Sequence, residues 1–378
     1  MTNIKRNHPG IAYLSGLSEL GYSDFINLAN EDTDLLPSGK LLKAATHALT
    51  KGFNNYTDLN GYLQLRKNIS QFVMKEFAYT YDAHSEITIT AGISQAVSTA
   101  ISSLIREGDE VIIFEPAFYV YDLMIMANGG RPVYIQLKQP DFHIDWDEVQ
   151  KVINSRTKMI IINSPNFPTG SVFSVTDMEK LAKIINGTKI IILSDESFHQ
   201  IVFDGIEHLS VARFPKVAEQ TMIISSFGKA LHVEGWKLAY CLAPAKIMAD
   251  FRKLHNVLSY SVNAPLQVAL SSVLEDDEIF KGIVEKFQAK RDLLLDGLKD
   301  TKFKFTPSKG TYFQVLNYSD VFDGKEGDFC NYLLETKKLA LMPLSYYFHD
   351  LIDQKCVRVC FGKSDETLKK AIEILNSL

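Results

Sequence analysis

The sequence predicts an α/β protein built around a mainly parallel sheet that helices cover on both faces. Two observations carry this. Between about residue 85 and residue 245, short apolar runs ("SEITIT", "DEVIIF", "TKMIIIN", "TKIIILSD", "TMIISSF", "KLAYCLA") alternate with amphipathic helical patterns. Strands buried on both faces read as continuous apolar runs of this kind. After about residue 275 the texture changes to a long amphipathic segment, "IFKGIVEKFQAKRDLLLDGLKD", then the strands "GTYFQVLNY" and "CVRVCFG" and a closing helix "SDETLKKAIEILNSL". This reads as a smaller α+β unit. The expected organisation is an N-terminal arm over 1–40 that packs on the small domain, a large domain over 41–275 and a small domain over 276–378.

With 378 residues, 46% of them hydrophobic, the chain can bury a sizeable core. A net charge of -5 with acidic and basic residues interspersed argues against a nucleic-acid partner, which calls for a basic face or stripe. The start "MTNIKRNHPGIAYLSG" has no apolar stretch of signal-peptide length, and no run approaches the ~18 apolar residues of a membrane span. A cytoplasmic protein with no membrane partner is expected. Cys241, Cys330, Cys356 and Cys360 lack CxxC spacing and read as reduced core thiols. The nine histidines form no HxH or HExxH pair, so no metal is expected. "PSGKLL" and "FGKAL" carry Gly-Lys without the other residues of a phosphate-binding loop, which argues against a nucleotide site.

Each apolar run ends in something chemically unusual. "EITIT" meets "AGISQAVSTAISSLI", so Gly92, Ile93 and Ser94 open a helix whose free N–H groups suit a phosphate, although such turns also join strand to helix without a ligand. "DEVIIF" leads to Phe118, either plain core or a cover for a flat ring. Asp195 ends a strand too apolar to solvate it and has no Lys or Arg close by in sequence; a protonated ring nitrogen would serve as its partner. Lys229 follows the buried run "TMIISSFG", where it either snorkels from a core edge or acts as an amine nucleophile. Ser226 and Lys237 flank it and offer a hydroxyl and a cation to a phosphate. Arg358 lies inside "CVRVCF", as an internal salt bridge or as a fork for a carboxylate. Together these groups ask for a phosphate, an aromatic ring, a protonated ring nitrogen and a carbonyl. Pyridoxal 5'-phosphate has all four.

The chain also resembles the class I/II aminotransferases, pyridoxal-phosphate enzymes of fold type I, and within them the methionine and kynurenine aminotransferase-like group. The likeness spans nearly the whole chain through "NNYTDLNGYLQLR", "TAGISQA", "FEPAFYVY", "SPNFPTG", "SDESF", "SSFGKALHVEGWKLAYCLAP", "YSVNAPLQ", "KGTYF", "MPLSYYF" and "VRVCFGK". It implies a large domain with a mainly parallel seven-stranded sheet between helices plus a smaller α+β domain. By resemblance, Lys229 is the lysine that joins the cofactor and shuttles the substrate proton, and Asp195 partners the pyridinium nitrogen. Gly92, Ile93, Ser94, Ser226 and Lys237 hold the phosphate, helped by Tyr56 of the other subunit of a homodimer. Phe118 stacks on the ring, Arg358 takes the substrate carboxylate, and Tyr260, Tyr312 and Tyr347 form aromatic walls. The implied reaction moves an amino group from an apolar or aromatic L-amino acid to a 2-oxo acid.

Three positions depart from the family pattern. The asparagine that serves the cofactor's 3′ oxygen is replaced by Phe167, with Asn166 one residue early as a possible substitute. The tyrosine with the same task is replaced by Phe198. Glu31 stands where relatives carry a glycine near the substrate carboxylate, and its direction is open. A C–S β-lyase or another enzyme on this scaffold, and a non-catalytic cofactor binder, are the alternatives.

Overall fold

A computed structural model describes residues 8–21, 24–276 and 278–378. Its strands are β1 (Ile26–Asn27), β2 (Ile87–Thr90), β3 (Glu110–Glu115), β4 (Arg131–Gln136), β5 (Thr157–Asn163), β6 (Ile191–Asp195), β7 (Thr221–Ser225), β8 (Ala239–Leu242), β9 (Phe313–Asn317), β10 (Leu339–Ala340), β11 (Met342–Pro343) and β12 (Cys356–Cys360). Seven of them form one sheet in the order β2-β8-β7-β6-β5-β3-β4. Only β8 runs against its neighbours β2 and β7; the other pairs are parallel.

The apolar runs are continuous because both sheet faces are covered. Ile112, Ile160, Ile192 and Ile223 enter one core, while their neighbours Ile113, Ile161, Leu193 and Ile224 enter a second core across the sheet. Successive side chains in a strand point to opposite faces, so each residue finds an apolar partner on its own side. The strand β4 departs from the sequence reading, which had no run there. It pairs only with β3 at the sheet edge and its side chains are mostly half-buried, where Pro132 is tolerated.

Past the sheet, β11, β12 and β9 make an antiparallel trio with Arg358 registered between Met342 and Val315. The long helix spans Ile283–Leu298, starting later than its apolar pattern because Gly282, at φ 76°, breaks the backbone before it. Ser364 caps the closing helix Asp365–Asn376 by accepting from Thr367 N–H. The N-terminal segment is more regular than its weak pattern suggests. Pro9–Leu20 is helical but buries only Gly10 and Leu17, too few for a visible period. Beyond it, β1 pairs with β10 through Ile26 and Leu339. All four cysteines are buried and free, and among the described residues no helix is long and apolar enough to cross a membrane.

Candidate active site

The carboxyl ends of β3, β5, β6 and β7 open into one cavity, as open parallel sheets dispose their sites. At its floor, Asp195 is buried and stands in register with Asn163 across β5 and β6. Its Oδ1 accepts from the Ser197 N–H at 3.1 Å and from the Ser197 hydroxyl, and its Oδ2 accepts from the Tyr121 hydroxyl at 2.6 Å. Burial pushes this carboxyl above its ordinary range; the Ser197 and Tyr121 bonds and the Lys229 charge pull it back. A cationic ring N–H placed here would relieve the same desolvation.

At one side, Gly92 caps the helix Ile93–Leu104 at φ 87°. A Cβ built on it would come within 2.9 Å of Lys237 Cε and 3.3 Å of Lys237 Nζ. Only glycine leaves this space beside an ammonium and the first helical N–H groups, a setting that draws an anion. Lys237 reaches it because a short turn, Glu234–Trp236, ends with Lys237 itself in the left-handed region at φ 52°. Ser226 also lines the cavity, and its hydroxyl donates to the Leu238 carbonyl at 2.8 Å. The cradle, the buried acid and Lys229 surround one space, so the residues present fit a phosphate-bearing pyridine with a carbonyl.

Lys229 lies just past β7, half-buried, with Nζ 5.2 Å from the Phe198 ring centre and 5.7 Å from that of Tyr312. Phe118 and Phe167 meet edge to face at 5.9 Å on the wall. Arg358 is fully buried in β12, behind this wall rather than lining it, with its guanidinium over the Phe313 ring at 4.4 Å. It donates to the Tyr347 hydroxyl at 2.7 Å, to the Asn30 carbonyl at 3.3 Å and to the Ala29 carbonyl. Glu31 points inward, lining the cavity with Oε1 3.6 Å from Arg358.

Five expected residues lie outside this cavity's lining besides Arg358. Asn166 does not take the place left by Phe167, because its Oδ1 accepts from the Thr169 hydroxyl at 2.7 Å inside its own turn. Tyr347 and Tyr312 are buried against Arg358 and Glu234, acting through their hydroxyls as well as their rings. Tyr56 and Tyr260 pack edge to face at 5.1 Å on the surface, 79% and 57% exposed, away from their own chain's cavity. Sequence reasoning missed Tyr121, Asn163 and Glu234, all of which line the cavity. Nothing in the sequence around Tyr121 marks it, and only the fold sets its hydroxyl against Asp195.

The model of the family "aminotransferase class I and II" matches residues 23–375. Methionine aminotransferase of Escherichia coli (strain K12) is 36% identical over 354 residues, covering 93% of this chain and 92% of that one. Kynurenine–oxoglutarate transaminase of Dictyostelium discoideum is 31% identical over 366 residues, covering 86% and 84%. The crystal structure of YbdL from Escherichia coli, for which a methionine aminotransferase function was identified, superposes with a TM-score of 0.95 at 34% identity, covering 99% of this chain and 98% of that one. The chain therefore belongs to the class I and II aminotransferases, fold type I enzymes whose members use pyridoxal phosphate.

Proposed function

We propose that this aminotransferase binds pyridoxal phosphate and moves the amino group of an apolar or aromatic L-amino acid, methionine-, phenylalanine- or kynurenine-like, to a 2-oxo acid. The single observation that carries it is the shared cavity: Lys229, Asp195 and the Gly92–Lys237 cradle face one space walled by Phe118, Phe167 and Phe198. No arginine lines that space among the described residues, and with Arg358 behind its wall reserved for the α-carboxylate a distal carboxylate on the donor finds no second fork. The names of the methionine and kynurenine relatives support the same class of donor.

The cradle at Gly92, Ile93 and Ser94, with Ser226 and Lys237, would hold the phosphate, Phe118 would cover the ring and Asp195 would pair with its nitrogen. When bound, the cofactor supplies an electron sink that makes the substrate Cα–H acidic. Lys229 Nζ takes that proton as general base and later releases it as general acid. Arg358 receives the substrate carboxylate once Glu31 swings aside. The aromatic walls keep water from the amine. The exposed pair Tyr56 and Tyr260 would reach the partner's site in a cytoplasmic homodimer, and the arm, large domain and small domain divide near residues 40 and 275.

The test is the visible absorbance of cofactor-loaded protein before and after single amino acids are added, with the keto acid identified. Methionine and phenylalanine should bleach it faster than aspartate. A faster response to aspartate or glutamate overturns the donor class. Lys229→Ala should lose borohydride-fixable cofactor while keeping its fold; fixation that persists would show that another residue bonds the cofactor.

A further inference from the structure

At the end of β3 the buried carboxylate of Glu115 grips one residue of the segment that joins β11 to β12. Its Oε1 accepts from the His349 main-chain N–H at 2.7 Å, and its Oε2 lies 2.9 Å from His349 Nδ1. The His349 ring lies flat on that of Tyr134 in the edge strand β4, with centres 3.7 Å apart and planes 2° from parallel. Main chain and side chain of one residue are thus both fixed. Two positions earlier, the Tyr347 carbonyl accepts from the Ala117 N–H at 2.9 Å. None of these groups lines the cavity.

We infer that Glu115 and His349 are positioning residues for the substrate carboxylate: they pin the Tyr347 segment to the end of β3, and Tyr347 in turn sets the place of Arg358. The link is the 2.7 Å bond that Arg358 donates to the Tyr347 hydroxyl. The Tyr347 ring is itself held edge to face against Phe167 at 5.3 Å. The inference rests on the reading of Arg358 as the fork for the substrate carboxylate. Once Glu31 swings aside, the guanidinium is left with neutral partners, the Tyr347 hydroxyl and the Ala29 and Asn30 carbonyls. Of these, the phenol belongs to the segment that β3 anchors.

The anchor also joins two tasks. Glu115 and Ala117 belong to the same "EPAF" run as Phe118, which would cover the cofactor ring. One short stretch therefore holds both the ring cover and the support of the carboxylate fork, so a shift of the Tyr347 segment moves the fork relative to the ring and spoils the alignment that positions the substrate. Burial pushes the Glu115 carboxyl up, and its bonds to His349 draw it back. Asp122 and Asp350 are the other acids near this pair. A buried carboxylate without donors is costly, which keeps the His349 contact closed.

The test is steady-state kinetics of the full-length, cofactor-loaded chain with its amino donor. Arg358 would hold the carboxylate in ground and transition state alike, so its misplacement reads as KM. In Glu115→Ala the KM should rise about tenfold, the cost of ordering one or two side chains during binding, with kcat changed by less than about twofold. Glu115→Gln, whose amide keeps an acceptor for the main-chain N–H and offers a donor to Nδ1, should restore most of the affinity. Calorimetry with 3-phenylpropanoate, a carboxylate that has no amine to react, should show the same loss and the same recovery. An unchanged KM in Glu115→Ala, a fall in kcat alone, or a KM as high in Glu115→Gln as in Glu115→Ala overturns the inference. Where Glu115→Ala fails to fold, His349→Ala decides: its side chain is 37% exposed, the main-chain bond survives, and KM should rise about threefold. No rise there overturns the inference as well. Arg358→Gln is the control. If its KM matches that of the unaltered chain, the reading of Arg358 fails and takes this inference with it, whereas failure of the Glu115 and His349 variants alone leaves that reading standing.

Discussion

Tyr121 donates its hydroxyl proton to Asp195 Oδ2 across 2.6 Å, joining the helix Val120–Ala127 to the end of β6 below the cavity. The bond supplies the buried acid with a third donor.

Tyr121→Phe should therefore weaken cofactor binding about tenfold, from the loss of roughly 1–2 kcal/mol of hydrogen bonding to a buried carboxylate. The sign of the pH dependence follows from the direction of the shift. Burial already raises Asp195, and removing a donor raises it further. More of the carboxyl is then neutral at a given pH, so the affinity deficit should grow as the solution is acidified. Absorbance titration with cofactor at several pH values measures it; a deficit independent of pH would mean Tyr121 acts by packing alone.

Glu31→Gln should lower the apparent KM for the amino donor roughly fivefold with little change in kcat, since the substrate carboxylate no longer competes with a resident one, an interaction of about 1 kcal/mol at this partly exposed contact. The separation of 3.6 Å from Arg358 is already long, and the side chain is 28% exposed, so the contact can open. A higher KM would show that Glu31 assists binding.

Phe167 and Phe198 line the cavity with no donor to offer the cofactor's 3′ oxygen. Of the neighbours that could substitute, Asn163 has its amide donors engaged and His199 lies outside the cavity's lining. Asn163 donates to the Asp195 carbonyl at 2.9 Å and the Pro165 carbonyl at 3.2 Å, and His199 Nδ1 contacts the Ser225 hydroxyl at 2.9 Å and the Glu196 carbonyl at 3.0 Å. With cofactor bound, these two walls would give that oxygen no stabilising donor, so the Lys229 nitrogen would hold its proton more tightly. The yellow form should persist to higher pH than in Phe167→Asn with Phe198→Tyr. A midpoint in the double variant that is unchanged or raised contradicts this.

Tyr56 and Tyr260 leave a large aromatic pair on the surface. If they complete the partner's site, mixing Lys229→Ala chains with Tyr56→Phe chains gives hybrids in which one site carries both lesions and the other is unaltered. Activity should appear in the mixture at about half the unaltered level per hybrid dimer, because one of two sites survives. Light scattering that shows an active monomer refutes it.

The sequence by itself determined six of the sheet's seven strands, all but the half-buried edge strand β4, and the order of the chemical groups along them. Runs such as "TKMIIIN" bury both faces, and so they announce strands without any knowledge of what packs on them. Asp195 and Lys229 stood out for the same reason, as charges at the ends of runs that cannot solvate them. What only the tertiary structure decided were directions. Glu31 turns inward to Arg358, Asn166 turns into its own loop, Tyr121 reaches an acid 74 positions away, and Glu234 meets the phenol of Tyr312. Local spacing carries the period of a strand or helix, but whether a polar side chain faces a cavity depends on elements far along the chain that supply its hydrogen-bond partner.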